Sequence, residues 1–177
     1  AFVMYLTAIC SGIIFVITPD ISGMLHIENK GFFFGFYVIS TIIIRLLTSS
    51  FSDRIGRPQT LIIGVSILIT SMVLIALVDS KVSYIIAAIV FGFATGMSSP
   101  TLFAWTADLS HKDRRGVGAG TLFLALEFGI ISGSVITLFV YDNSPTGIYR
   151  AFLIGAGSAV LALVVLIFQV RKSRAIR

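Results

Sequence analysis

Six long apolar stretches alternate with short polar segments along the chain. The apolar stretches cover residues 1–18, 31–48, 60–78, 82–107, 117–140 and 148–170. Each has about the 20 residues that an α-helix needs to cross the hydrocarbon core of a bilayer. A transmembrane barrel would instead show ~10-residue segments of alternating polarity, and the sequence has none. The pattern therefore predicts an all-α membrane protein with six transmembrane helices.

The composition and the distribution of charge support this prediction and orient the helices. Hydrophobic residues make up 56% of the 177 residues and charged residues 12%, and the mean hydropathy is +1.02, which excludes an ordinary soluble domain. Ten of the 13 basic residues fall on one side of the predicted membrane: Arg45, Arg54, Arg57, Lys112, Arg114, Arg115, Arg171, Lys172, Arg174 and Arg177. The positive-inside rule makes that side, and both termini, cytoplasmic. Because the net charge of +5 reflects topology, we expect no nucleic-acid partner.

The six predicted helices differ in their polar content. The third and sixth, Leu61–Val78 and Ala151–Val170, contain no charged residue and few strong hydrogen-bonding groups. A helix that is apolar all round can face lipid, whereas polar side chains within a membrane face protein or a water-filled cavity. We therefore expect helices three and six to face lipid and the other four to line a cavity. The cavity-lining candidates are Thr7, Cys10, Ser11, Tyr37, Ser40, Thr41, Thr95, Ser98 and Thr121.

Pairs of glycines four residues apart recur within or beside the apolar stretches. They occur at positions 31 and 35, 92 and 96, 116 and 120, and 129 and 133. Small residues at this spacing let two helices approach closely in a membrane. We expect these glycines to mark helix–helix contacts.

Glu127 lies near the middle of the fifth apolar stretch, where an acidic side chain is costly. Insertion scales assign roughly 2.5–3.5 kcal/mol to an acid at the centre of a membrane helix. Apolar surroundings favour the neutral carboxyl, and a carboxyl that is neutral in one conformation and charged in another can couple transport to protons. Glu127 is therefore the proton-coupling candidate. The alternative is a protonated Glu127 that hydrogen-bonds to a serine or a carbonyl and tightens helix packing.

The polar segment 49–61 contains the run Asp53-Arg54-Ile55-Gly56-Arg57. This run resembles the signature loop of the major facilitator superfamily, approximately G-x-L-A-D-R-x-G-R-[KR]-x-x-L. Ser49 replaces the glycine of that signature, and Pro58 replaces its last basic residue. The resemblance implies a conformational latch in which the acid contacts a helix end in the other half of the transporter, formed here by Asp53, Arg54, Gly56 and Arg57. The alternative is that these charges only set topology and cap the third helix.

Further stretches resemble helices ten and eleven of such a transporter. They are residues 92–100, the pair Ala107-Asp108, and residues 115–121 and 127–133. The chain thus resembles a C-terminal half, which implies that residues 1–177 form one six-helix domain of a twelve-helix protein. The resemblance also implies two inverted three-helix repeats, a substrate site near the midplane, and alternating access by rocking against a missing N-terminal half.

Two further charged residues are assigned to the membrane surface. Arg45 lies near the cytoplasmic end of the second helix, and we expect its long side chain to reach lipid phosphate or Asp53. A cavity-facing contact with an anion is the alternative for Arg45. Asp108 ends the fourth helix, and we expect it to join a surface network with Arg114 and Arg115.

The function favoured by these features is secondary active transport of a small solute by alternating access. A lone membrane acid suits proton-coupled efflux of a drug-like or metabolite solute. The expected partners are that solute, the proton, the lipid bilayer and the missing N-terminal half, and the expected location is the inner (plasma) membrane of the cell. Three alternatives stay open: uptake by symport, a half-size carrier that works as a dimer, and a membrane assembly bundle that does not transport.

An enzyme is not expected from this sequence. The two histidines, His26 and His111, lie in polar loops, and neither G-x-S-G nor G-x-x-x-x-G-K-[ST] occurs. Cys10 is the one cysteine, which allows neither a thiolate metal cluster nor an internal disulfide. We therefore expect no cofactor and no bound metal.

Overall fold

The computed structural model describes the backbone of residues 1–175 and the side chains of all of these except 49, 50 and 172–175. Its six α-helices are α1 Phe2–Met24, α2 Phe32–Ile55, α3 Arg57–Ala76, α4 Lys81–Leu109, α5 Arg115–Val140 and α6 Pro145–Ala175. A 3₁₀ turn, Lys112–Arg114, precedes α5. No strand occurs within residues 1–175, which confirms the predicted all-α fold. Four positions named above, Ser49, Lys172, Arg174 and Arg177, lie outside the described side chains.

Each predicted apolar stretch corresponds to one helix. Within the described residues, five helices are long and apolar enough to cross a membrane, and α2 is apolar over the shorter segment Phe32–Thr48. Helices suit this environment because they satisfy backbone N–H and C=O groups within the segment itself. The chain is therefore a multi-pass integral membrane protein.

The first helix is longer than the sequence suggested. The first apolar stretch was predicted to end at residue 18, just before Pro19, but α1 continues through this proline to Met24. Pro19 lacks the N–H that would bond to a carbonyl one turn earlier. The turn that follows it is nevertheless held by the buried Ile21 and by Ser22, whose hydroxyl lies 2.9 Å from Tyr84 Oη on α4. Tertiary packing thus outweighs the local cost of the proline.

The predicted loop 49–61 is reduced to a single residue between two helices. Gly56 separates α2 from α3 and has a φ of +93°, a conformation that is strained for residues with a side chain. Pro58 follows in the first turn of α3, where a helix needs no N–H donor. Asp53 and Arg54 therefore lie on the last turn of α2, while Arg57 begins α3.

Helices α1–α3 and helices α4–α6 form two sets with equivalent packing. α1 packs on α5 and α6, α4 packs on α2 and α3, and α3 meets α6 at the centre. Exchanging α1, α2, α3 with α4, α5, α6 leaves this pattern unchanged. Because successive helices alternate in direction, α4 runs opposite to α1, so the two sets are inverted repeats, as the resemblance implied.

Glycines permit the closest contacts between helices of one repeat and helices of the other. A Cβ atom added at Gly12 on α1 would overlap the Ile130 carbonyl oxygen of α5, and one added at Gly133 would overlap the Ile9 carbonyl oxygen of α1. On α4, a Cβ at Gly92 would lie 2.6 Å from the Tyr37 carbonyl oxygen of α2. We call these two contacts the α1–α5 seam and the α2–α4 seam. The predicted contact role is confirmed for the glycine pairs at 92 and 96 and at 129 and 133.

The other two glycine pairs do not lie in seams. A Cβ added at Gly35, Gly116 or Gly120 would meet nothing within 4 Å, and one at Gly31 would meet only the Asn29 side chain. A Cβ added at Gly118, between Gly116 and Gly120, would lie 3.2 Å from Thr106 Cγ2 of α4, so Gly116 and Gly120 lie on the side of α5 that faces away from α4. For these pairs the prediction of a close helix contact is wrong.

The starts of α1 and α3 lie beside the ends of α4 and α6, where they surround a common cavity. This end also holds Arg57, Arg114 and Arg171, and we call it the basic end. At the opposite end, Ser144 caps α6 by accepting a hydrogen bond from the Gly147 N–H at 3.0 Å. Asp142 accepts from the Ser144 hydroxyl and N–H, and these hydrogen bonds lower the pKa of the Asp142 carboxyl.

Candidate functional site

The most open surface of the described bundle lies on α5. Only 17% of the most apolar part of Lys112–Val140 is buried, compared with 67% for α1. α5 packs along α1 and touches α4 and α6 only lightly. Its exposed residues are mainly apolar and include Phe123, Leu124, Phe128, Ile131, Val135 and Leu138. We call this surface the open face of α5.

Glu127 interrupts this apolar face. It lies midway along α5, ~18 Å from the start of the helix at a rise of 1.5 Å per residue, and its side chain is exposed. Leu124 and Ile131, close to one turn away on either side, are more than half exposed. No hydrogen bond or ion pair joins Glu127 to another described residue. The bundle itself therefore gives no support to the alternative in which Glu127 tightens packing by bonding to a serine or carbonyl.

Four other candidates are at least partly accessible, and each comes from a different helix. They are Ser11 on α1, Tyr37 on α2, Thr95 on α4 and Thr121 on α5. Their hydroxyls are available as acceptors even where they already donate to their own helix, as Thr121 does to the Val117 carbonyl at 2.9 Å. The four helices predicted to line a cavity therefore each present one accessible polar side chain.

The remaining five candidates are buried: Thr7, Cys10, Ser40, Thr41 and Ser98. Thr41 Oγ1 donates to the Gly92 carbonyl at 3.2 Å across the α2–α4 seam, and Cys10 Sγ donates to the Gly155 carbonyl of α6 at 3.3 Å. Ser98 lies against Gly64 of α3. Thr7 and Ser40 donate to carbonyls of their own helices. In this conformation none of the five lines an open cavity among the described residues.

The predicted latch residues occupy the basic end, where α2, α3 and α4 meet. Arg57 Nη1 lies 3.4 Å from Asp53 Oδ1, one turn earlier in the chain. Arg57 Nε also donates to Asp108 Oδ2 at 2.5 Å, so one guanidinium joins the end of α2 to the end of α4. Gly56 provides the sharp turn that brings these groups together. Arg54 is exposed and forms no ion pair with a described residue.

Two expectations for this end are changed by the structure. Asp108 pairs with Arg57 and not with Arg114 or Arg115, because the start of α3 lies against the end of α4. The start of α3 has no side-chain cap within the described residues, so Asp53 does not cap this helix by a hydrogen bond. Its interaction with α3 is the ion pair with Arg57.

Sequence patterns did not identify two features near the predicted site. Tyr5 Oη donates to Ser132 Oγ at 3.1 Å, which links α1 to α5 beside the open face. A cavity of about 770 Å³ opens at the basic end and is lined by Trp105, Arg57, Asp108 and Gln169, among others. Both depend on residues more than 50 positions apart, and no local signal indicates such pairs.

The accessible side chains of the described residues can form hydrogen bonds and carry charge. Among residues 1–175, no group of three His, Cys, Asp or Glu side chains lies close enough to hold a metal ion. The accessible polar groups are hydroxyls and one membrane-depth carboxyl, which suits the binding and release of a solute or a proton.

The chain is similar to two Bacillus subtilis (strain 168) proteins, named Multidrug resistance protein 2 and Multidrug resistance protein 1. It is 25% identical to the first over 169 residues and 24% identical to the second over 166 residues. It is also 27% identical over 155 residues to a Mycobacterium tuberculosis protein named Uncharacterized MFS-type transporter EfpA. These alignments cover 93%, 91% and 81% of this chain but 41%, 41% and 29% of the relatives, so the chain spans less than half of their length.

The model of the Major Facilitator Superfamily matches residues 1–176, nearly the whole chain. This match confirms the resemblance drawn from the run at residues 53–57 and from the later helices. Six helices, arranged as two inverted sets of three and aligned with under half of longer relatives, are what a half of such a transporter provides. The chain belongs to the Major Facilitator Superfamily.

Proposed function

We propose that residues 1–177 form the C-terminal half of a twelve-helix secondary transporter that exports a drug-like or metabolite solute in exchange for protons. Family membership supports transport of a small molecule, and two relatives carry the name of multidrug resistance proteins. In this proposal both termini are cytoplasmic, because ten of the 13 basic residues would then lie on the cytoplasmic side.

The observation that carries the proposal is the exposure of Glu127 on the open face of α5. Exposure of this carboxyl to hydrocarbon would cost roughly 2.5–3.5 kcal/mol, so the face needs protein or water against it. A second six-helix half supplies that cover and encloses a cavity between the halves. We propose that Glu127 takes up and releases the coupling proton there, while Ser11, Tyr37, Thr95 and Thr121 contact the solute.

The latch residues support the same mechanism at the basic end. Asp53 is exposed despite its ion pair with Arg57, so its outer oxygen is free for a further contact. We propose that Asp53 binds the positive end of a helix in the other half when the cytoplasmic side is closed. Arg57 holds the carboxylate in place, and separation of the halves breaks only the outer contact.

The test is pH-driven transport by the complete protein reconstituted in vesicles. Glu127→Gln should abolish uptake that depends on a pH gradient while retaining solute binding, because glutamine keeps the shape of the side chain but carries no titratable proton. Glu28→Gln is the matched control, since Glu28 is the other glutamate of the chain and lies in an exposed loop. Equal dependence on the pH gradient in both variants would refute proton coupling through Glu127.

A measurement of native size separates the half-transporter from the two alternatives. An antibody against residues 171–177 should detect a band near twice the 19.1 kDa of this chain in the source membrane. A band at 19.1 kDa would leave a dimeric half-size carrier or a bundle without transport activity. Chemical crosslinking within the membrane then distinguishes these two, because only the carrier requires a second copy.

A further inference from the structure

A second, smaller cavity lies between the last turns of α2 and the end of α4. Its volume is about 210 Å³, and it is lined on one side by Arg45, Thr48, Ser52, Asp53 and Arg57 and on the other by Pro100, Thr101 and Ala104 of α4. Arg45, Thr48 and Ser52 follow each other at spacings of three and four residues, so they share one face of α2. Of these three residues, only Arg45 was given an expected role above, a contact with lipid phosphate, Asp53 or an anion.

Two hydroxyls in the wall of this cavity have no hydrogen-bond partner among the described residues. Thr48 Oγ1 and Ser52 Oγ are both unpaired, although these residues are only 3% and 2% exposed. Neighbouring residues behave differently: Thr101 donates to the Met97 carbonyl at 2.7 Å, and Ser40 donates to the Phe36 carbonyl at 2.7 Å. A buried polar group without a partner is unfavourable, which leaves two donors for a ligand with acceptor oxygens.

Arg45 provides this cavity with a cation that can bind an anionic group. Arg57 is paired with Asp53 at 3.4 Å and with Asp108, while Arg45 forms no ion pair with a described residue. Arg45 is therefore the one charged lining residue that no carboxylate of the described residues neutralises. A phosphate diester matches this arrangement, because it carries one negative charge and two free oxygens that accept from Arg45 and from the hydroxyls.

The surroundings favour a lipid as the source of the phosphate. Leu46 and Leu47, which follow Arg45 directly, are 75% and 62% exposed, so an acyl chain can lie along α2 beside the cavity. The basic end is also the level at which lipid headgroups meet a membrane helix. We propose that this cavity binds the phosphodiester headgroup of an anionic phospholipid, through Arg45, Thr48 and Ser52. The proposal concerns lipid binding and does not depend on transport or on proton coupling.

Fluorescence of the single tryptophan provides a direct assay. Trp105 follows Ala104, which lines the cavity, and it is the one tryptophan in the chain. The full chain is reconstituted in phosphatidylcholine bilayers that contain increasing amounts of brominated phosphatidylglycerol, whose bromines quench nearby tryptophan. Quenching should saturate at low phosphatidylglycerol fractions, and Arg45→Gln should weaken this binding about tenfold, the effect of one lost charge-assisted hydrogen bond.

Arg54→Gln is the matched control, because it removes one exposed charge from the same helix end without touching the cavity. It should leave the saturation curve unchanged. Equal effects of Arg45→Gln and Arg54→Gln would overturn the site and indicate general attraction to anionic lipid. Quenching that rises only in proportion to the lipid fraction would overturn it as well.

The hydroxyls give a second test that does not rely on charge. Ser52→Ala and Thr48→Val should raise the melting temperature of the chain in a neutral detergent, since each removes an unpaired buried hydroxyl. The same variants should reduce the further rise produced by phosphatidylglycerol. Inorganic phosphate is the competing probe: a rise that depends on Arg45 would support a phosphate site filled from solution instead of from lipid. No response to either probe in the original chain would refute the proposal.

Discussion

Replacement of Gly133 by alanine tests the tightest helix contact in the bundle. Gly133 lies in the α1–α5 seam, where an added Cβ would overlap the Ile9 carbonyl oxygen and lie 3.1 Å from Gly12 Cα. All of these are backbone atoms, which cannot rotate away. Gly133→Ala therefore forces α1 and α5 apart along their whole contact.

The expected size of the effect follows from two opposing terms. Overpacking of a well-packed contact costs about 1–3 kcal/mol. Alanine in place of glycine within a helix returns about 0.5–1 kcal/mol through reduced backbone entropy. Gly120→Ala, on the same helix, should show only the entropic gain, because a Cβ there meets nothing within 4 Å. The difference in unfolding free energy between the two variants should therefore be about 1–3 kcal/mol, with Gly133→Ala the less stable.

The assay is unfolding of the purified chain in mixed micelles of dodecyl maltoside and increasing sodium dodecyl sulfate, followed by the fluorescence of Trp105. Gly120→Ala should unfold at a slightly higher dodecyl sulfate fraction than the original chain, and Gly133→Ala at a clearly lower one. If Gly133→Ala unfolded at the same dodecyl sulfate fraction as Gly120→Ala, the α1–α5 seam would not be held by direct backbone contact.

Four further predictions concern the ends of the helices. Ser144→Ala removes the cap of α6 and should cost about 0.5–2 kcal/mol in the same unfolding assay. The lowered pKa of Asp142 contributes stability above its ordinary value of 3.8, so the unfolding free energy should decrease as the pH falls below that value, and Asp142→Asn should reduce this decrease. Burial raises the pKa of Tyr141 to about 12, so the ultraviolet titration of the original chain minus that of Tyr141→Phe should have its midpoint near pH 12 instead of 10. A double-mutant cycle of Arg57→Gln and Asp108→Asn should give a coupling of about 0.2–1 kcal/mol, because both side chains are partly exposed.

The number and approximate position of the helices could be predicted from the sequence because a bilayer leaves few choices. Apolar segments of this length must form helices, and the polar segments between them contain the turns. The helix ends were less predictable. Pro19 is typical of a turn, yet α1 continues through it, because contacts from α4 hold the extra turn. The run at residues 53–57 does contain a turn, but it is the single residue Gly56, and α2 extends as far as Ile55.

The glycine pairs show the same limit of local patterns. All four pairs have the spacing that allows close approach, but the pairs at 92 and 96 and at 129 and 133 lie in seams and the other two do not. Glycines four residues apart show that one side of a helix carries no side chains at these positions. Whether another helix lies against that surface depends on the path of the whole chain.

The candidate site was identified from residue type and depth, and these do not show which side of a helix faces a neighbour. Glu127 and Thr121 lie on an exposed surface, whereas Cys10 and Ser98, chosen by the same criterion, lie between helices. The Arg57–Asp108 pair joins residues 51 positions apart and needed the position of α3 against α4. Ion pairs between distant residues can be identified only when the relative positions of the helices are known.

The inverted repeats also explain why the free polar groups are unevenly distributed. α5 and α2 occupy equivalent positions, one packed on α1 and the other on α4. On α2, Thr41 faces the seam and bonds to the Gly92 carbonyl, so its hydroxyl proton stabilises the helix pair. On α5, Gly133 makes the seam through the backbone, and Glu127 is left outside it without a bonded partner among the described residues. A carboxyl that is not used for packing can change its charge without weakening the fold, which is the physical requirement for a residue that binds and releases a proton in every transport cycle.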